Sequence, residues 1–92
     1  MGVVNKSYTL SADGSTEVHN VPASAKYLFY GVGDFGNGQL ILEASPDGGS
    51  NWFTVDILHE PGRLIRYLVS GEIVRITLQN STNPNVTTGL RQ

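Results

Sequence analysis

Apolar and polar positions along this chain alternate with a period of two, and Gly or Pro interrupts the chain before a helical period can be established. The longest run free of both residues is 72–83, and it reads as a strand: Val74, Ile76 and Leu78 on one side, Arg75, Thr77 and Gln79 on the other. Short β-rich runs recur every ~8–12 residues with turn residues between them, the spacing of a sandwich or small barrel. Eight strands are predicted: Val3–Leu10, Thr16–Val21, Tyr27–Val32, Gln39–Ala44, Trp52–Leu58, Leu64–Val69, Ile73–Gln79 and Val86–Leu90. Val, Ile, Thr and the aromatics total 29 residues against ten Ala, Glu and Lys, which favours pleated, half-buried surfaces over helices. The expected fold is all-β: an antiparallel β-sandwich, jelly-roll-like, of seven to eight strands.

The clearest hairpin joins the fourth and fifth strands through 45–51. Pro46 presets φ for the first central position of a type I turn, Asp47 tolerates the second, and Gly48 supplies the left-handed residue that follows. In the strand after it, Phe53, Val55 and Ile57 are expected to face inward and Trp52, Thr54 and Asp56 outward.

Three runs break the alternation. Tyr27-Leu28-Phe29-Tyr30, Leu40-Ile41-Leu42 and Tyr67-Leu68-Val69 are apolar on both faces. A small antiparallel sandwich buries one face of each sheet and wets the other, and no helix is available to cover a second face. The surplus apolar surface therefore points to assembly with other subunits. The interface expected from these runs comprises Tyr27, Phe29, Tyr30, Leu40, Leu42 and Tyr67, the parity of each strand being left open.

Composition strengthens the same reading. The 92 residues make one domain, 1–92, whose segments 1–7 and 80–92 are expected to serve as flexible arms that order on contact with a neighbour. Charged residues are only 15% of the chain, against a usual ~25%, and eight Ser, seven Thr and seven Asn supply the polarity instead. Cysteine is absent, which removes disulfides, thiolate catalysis and Cys-based zinc sites, and a small domain without staples often gains stability by oligomerising. A net charge of −2 with six scattered basic residues gives no footprint for nucleic acid. No stretch approaches the ~20 apolar residues of a membrane helix, and residues 1–7 lack the apolar core of a signal peptide.

Catalytic and metal chemistry find little support. His19 and His59 lie far apart with no third ligand in register, and the turn residues Asp13, Asp34 and Asp47 do not match the spacing of a calcium loop. The glycines of 31–38 precede neither Lys-Ser/Thr nor a helix, so they form no phosphate cradle. No nucleophile signature is present, and Glu43 and Asp56, which could meet across neighbouring strands, read as solvated neighbours. The sequence thus reads as non-enzymatic, with no cofactor and no metal. The competing function is carbohydrate binding by a pyranose stacked on Trp52. Its plainer role is to pack over the adjacent turn.

The segment 42–55, Leu-Glu-Ala-Ser-Pro-Asp-Gly-Gly-Ser-Asn-Trp-Phe-Thr-Val, resembles a hairpin that recurs in small β-rich virion proteins of tailed bacteriophages. Gly71 with the strand Ile73-Val74-Arg75-Ile76-Thr77-Leu78 is similar to the strand that follows in such proteins, and the likeness covers residues 39–79. It implies a virion structural protein made in the host cytoplasm: a capsid decoration or cement protein, or a head–tail accessory. Its implied partners are the major capsid protein or other virion proteins, and copies of itself, a trimer being favoured.

Overall fold

A computed structural model describes residues 5–92, so Val3 and Val4 of the first expected strand, and the start of the expected amino-terminal arm, lie outside the described residues. The described chain contains no helix and nine strands: β1 Asn5–Leu10, β2 Gly14–Ser15, β3 His19–Asn20, β4 Ala25–Asp34, β5 Gln39–Ser45, β6 Phe53–Leu58, β7 Gly62–Leu68, β8 Ile73–Gln79 and β9 Asn85–Arg91. They pair antiparallel in two sheets, one ordered β1-β9-β4-β7 and the other β2-β8-β5-β6, with β3 also on β8. If β2 and β3 are counted as one broken strand, this is the eight-strand, double Greek-key order of a jelly roll. The expected sandwich is therefore the observed one.

The core fills the space between the sheets. Tyr27 and Phe29 of β4, Leu40, Leu42 and Ala44 of β5, Val74, Ile76 and Leu78 of β8, and Val86 and Leu90 of β9 are all buried there. In β8 Val74, Ile76 and Leu78 face the core as the sequence predicts, and Thr77 is buried as well, on the opposite face. Thr88, the polar member of β9 that faces the core, is satisfied by donating its hydroxyl to Tyr30 O at 2.6 Å.

Two local devices shift the expected pattern. The second strand is broken because Thr16 Oγ1 accepts the amide of Ile76 at 3.0 Å, replacing a ladder bond, and the chain bows outward at Glu17 and Val18 before β3 pairs again. In β6 the register slips where Leu42 faces Asp56 and Glu43 faces Thr54, leaving Val55 as the extra, bulged residue. The bulge defeats the expected alternation beyond it: Asp56 shares a face with buried Leu42 instead of pointing out, and Ile57, opposite Ile41, faces outward instead of inward. Phe53, opposite buried Ala44, keeps the inward side but is 59% exposed at the strand end. At that open edge Asp56 pairs with Arg66 of β7, across the gap between the sheets.

The arm expected over 80–92 is instead structural. β9 is a central strand, hydrogen-bonded to β1 and β4, and residues 80–84 are tied on two sides. Asp13 accepts the amides of Asn80 and Ser81 at 3.1 and 3.0 Å, and Thr82 N donates to Gly36 O at 2.9 Å. Asn80 and Asn83 take left-handed φ values of 59° and 49°, which Asn tolerates better than most residues, so the polar stretch is a shaped connection to a core strand.

The 45–51 turn forms as expected, with Gly48 and Gly49 at φ 74° and 99°. Asp47 is its hub, accepting from Ser45 Oγ at 2.8 Å, Asn51 N at 2.9 Å and Asn51 Nδ2 at 2.6 Å. The bonds from Asn51, then from Ser45, favour the carboxylate and lower its pKa from 3.8 to about 2. Because the folded pKa lies below the unfolded one, this turn's contribution is complete above pH 3.8 and fades as pH falls toward 2. A carboxyl titration followed by NMR is expected to place Asp47 near 2; a midpoint at 3.8 would mean that the turn network is absent in solution.

Candidate interaction surface

The outer face of the β1-β9-β4-β7 sheet follows from register. Opposed residues of an antiparallel pair share a face, so the rows read Lys26–Tyr67, then Arg91–Leu28–Ile65, then Ser7–Gly89–Tyr30–Arg63, then Thr9–Thr87–Val32. Ile65 and Tyr67 are 59% and 60% exposed, and Val32 and Val69 are each 49% exposed. Leu28 and Tyr30 lie half-buried between them. This is a continuous apolar ribbon on β4 and β7 with the charges Lys26, Arg63 and Arg91 around it. No helix covers it among the described residues.

Of the six residues the sequence nominates, two stand on this surface. Tyr30 and Tyr67 face outward, whereas Tyr27, Phe29, Leu40 and Leu42 are at most 1% exposed and belong to the core. Their side chains are spent on the contact between the two sheets, and Tyr27 closes its polar end by donating to Ala23 O at 2.6 Å. Ile65, Val69, Val32 and Leu28 were not nominated. The available signal was charge parity on β4: Lys26 shares its side with Leu28, Tyr30 and Val32, and a solvated ammonium fixes that side as the outer one.

The outer face of the other sheet is closed by its own side chains. Arg75 Nε donates to Glu43 Oε1 at 3.0 Å, Thr77 Oγ1 donates to the same oxygen at 2.6 Å, and Ser15 Oγ lies 2.7 Å from Thr77 Oγ1. Since the Thr77 proton goes to Glu43, Ser15 is the donor to Thr77. Ile41, opposite Thr77 on β8 and Ile57 on β6, is only 7% exposed on this face. The doubly apolar β5 therefore needs no second layer of subunits.

Trp52 joins this network. The Arg75 guanidinium sits 4.0 Å from its ring centroid, a cation–π contact, and Gly49 lies close enough that an added Cβ would be 3.7 Å from the ring. The indole packs over its turn, and a saccharide stacked on the Arg75 side would have to displace the guanidinium.

A small pocket opens between β1 and the β2–β3 edge, lined by Lys6, Tyr8, Glu17 and His19 above Leu42, Val74, Ile76 and Leu90. Its free volume of about 10 Å³ suits a single water-sized group. Tyr8 Oη and His19 Nε2 are buried there without hydrogen-bond partners. Burial, then the nearby Glu17 carboxylate, raises the Tyr8 pKa; burial, then Lys6, lowers that of His19 against an opposing pull from Glu17. Among the described residues no three His, Asp or Glu side chains gather as a metal-binding group.

No protein-family model matches this sequence, and no curated protein matches it. Among solved structures the chain is similar to that titled "Structure of Eiger TNF from S. frugiperda", at 13% identity and a TM-score of 0.46, over 79% of this chain. The chain spans 62% of the length of that structure.

Proposed function

We propose that this chain is a non-enzymatic bacteriophage virion protein, a capsid decoration or cement protein or a head–tail accessory, that attaches through the outer face of its β1-β9-β4-β7 sheet. The observation that carries this reading is the uncovered ribbon of Ile65, Tyr67, Val69 and Val32 on an otherwise polar, weakly charged domain. Two further features support it. The jelly-roll strand order is an architecture that viral capsid and lectin domains use. The Ser-Pro-Asp-Gly-Gly hairpin that resembles those of tailed-phage virion proteins is a rigid, self-bonded turn.

The size of the ribbon sets the mode of attachment. Two strands ~4.8 Å apart and three or four residue rows give roughly 200 Å², well below the ~800 Å² per partner of a stable pair. One such contact is weak, and lasting adhesion follows from several copies acting together, as in a trimer bound to a repeating lattice.

The test is co-sedimentation of the purified chain with phage capsids stripped of accessory proteins, with its mass measured by light scattering. Ile65→Thr combined with Tyr67→Thr keeps β-compatible side chains at exposed sites. It is expected to lower capsid binding at least tenfold with an unchanged melting temperature. Equal binding by the variant would overturn the assignment of the face.

A further inference from the structure

We propose that this face docks on an acidic protein surface with an apolar centre, belonging to a protein other than this chain; the inference rests on the face being the attachment surface. Charge carries it. Although the chain has a net charge of −2, the outer face of this sheet bears Lys26, Arg63 and Arg91, all exposed. Among the described residues the ion pairs are Arg66–Asp56 and Arg75–Glu43, so these three cations have no carboxylate partner. The first carboxylate along the outward positions of β4 is Asp34 at the strand end, and its Oδ1 is engaged by Gly36 N at 2.8 Å. Tyr and Arg around an aliphatic centre match the composition of protein–protein interface cores.

A second copy does not fit this face. In a two-fold contact the same patch meets itself, which sets Lys26, Arg63 and Arg91 against one another. A head-to-tail contact would need an acidic apolar patch elsewhere on the chain. The remaining large exposed apolar residues, Val18 and Phe53, stand singly toward opposite edges of the other sheet. The Asp13 carboxylate is already engaged by the amides of Asn80 and Ser81 and that of Asp47 within its own turn, and Glu17 offers a single acid beside the single apolar Val18. The complementary surface must therefore come from a different protein, and its acidic groups would add both specificity and a salt-dependent rate of encounter.

The experiment titrates the isotopically labelled full chain with a synthetic peptide of alternating Glu and Leu, with its Lys and Leu counterpart, and with vesicles containing anionic phosphatidylglycerol. Amide shifts are expected around Lys26, Ile65, Tyr67 and Arg91 with the acidic peptide only, weakening at least tenfold from low salt to about 0.5 M. The triple variant K26E/R63E/R91E is expected to lose at least tenfold in affinity for the acidic peptide while keeping its melting temperature. If charge reversal has no effect on capsid binding while Ile65→Thr with Tyr67→Thr abolishes it, the acidic-partner inference falls and the attachment face stands. If neither variant changes capsid binding, both fall. Vesicle binding without peptide binding, or self-association of the unaltered chain that Ile65→Thr with Tyr67→Thr abolishes, would also overturn the inference.

Discussion

Phe29→Ala is expected to destabilise the fold by about 3–5 kcal/mol, whereas Tyr67→Thr, on the neighbouring strand, should change it by no more than about 0.5 kcal/mol. Both aromatics sit in runs that are apolar on two sides, and only the fold separates their roles. Phe29 is 0% exposed, opposite Leu64 on β7 and Leu90 on β9, so truncating it leaves a void that a tight sandwich cannot fill. Tyr67 is 60% exposed beside Lys26, where a smaller side chain forfeits little buried area. A domain of 92 residues has roughly 5–14 kcal/mol of stability in all, so the Phe29 variant loses a large share of it, and its melting temperature should fall by at least about 12 °C. Urea denaturation measures both: the midpoint should drop for Phe29→Ala with little change in slope and stay in place for Tyr67→Thr. The reverse outcome would mean that β4 and β7 present the opposite faces to the core, and the attachment surface would be lost with them.

The same contrast shows where sequence patterning suffices. β8 was legible because Arg75, Thr77 and Gln79 mark one side unambiguously, and the core face of Val74, Ile76 and Leu78 follows. β5 held an equivalent signal: Gln39 and Glu43 share a side with Ile41, which leaves Leu40, Leu42 and Ala44 for the core. An apolar residue on the polar side is not evidence of a partner when Thr77 and Ile57 flank it. β7 held no such signal, because Arg63 and Arg66 fall on opposite sides; Arg66 is accommodated on the inward side only because it lies at the sheet edge opposite Asp56. Asp56 and Ile57 were misassigned because the bulge at Val55 inverts parity within β6, and no residue type there announces it. The carboxy-terminal segment was mistaken for an arm because Asn80 to Asn85 is polar. Its order comes from Asp13 and Gly36, distant in sequence, which pattern reading along the chain does not bring together.

Gly89→Ala is expected to cost about 2–3 kcal/mol, at the upper end of what overpacking typically does, although it adds a single methyl group and requires no unusual φ. Gly89 lies in central strand β9 between Ser7 of β1 and Tyr30 of β4, and its missing side chain leaves room on the outer face. A Cβ there would clash with Lys6 O and meet Tyr30 Oη at 2.5 Å and Tyr30 Cζ at 2.7 Å. The Tyr30 ring can swing aside, which would uncover it on the attachment face. The Lys6 carbonyl is backbone and can yield only if β1 shifts, and β1 is an edge strand held in its sheet by β9 alone. Hydrogen exchange should therefore show protection lost across Asn5–Leu10 before any loss in β4 or β8. Gly48→Ala is the control: nothing lies within 4 Å of its Cβ, but φ is 74°, so its cost of about 1–2 kcal/mol is conformational and leaves β1 protected. Adding Tyr30→Ala to Gly89→Ala separates the two clashes. If the tyrosine ring dominates, the double variant regains β1 protection; if the Lys6 carbonyl dominates, β1 stays loose and only the attachment face changes. Full protection of β1 in the single variant would show that the close approach of β1 to β9 at Gly89 does not hold in solution.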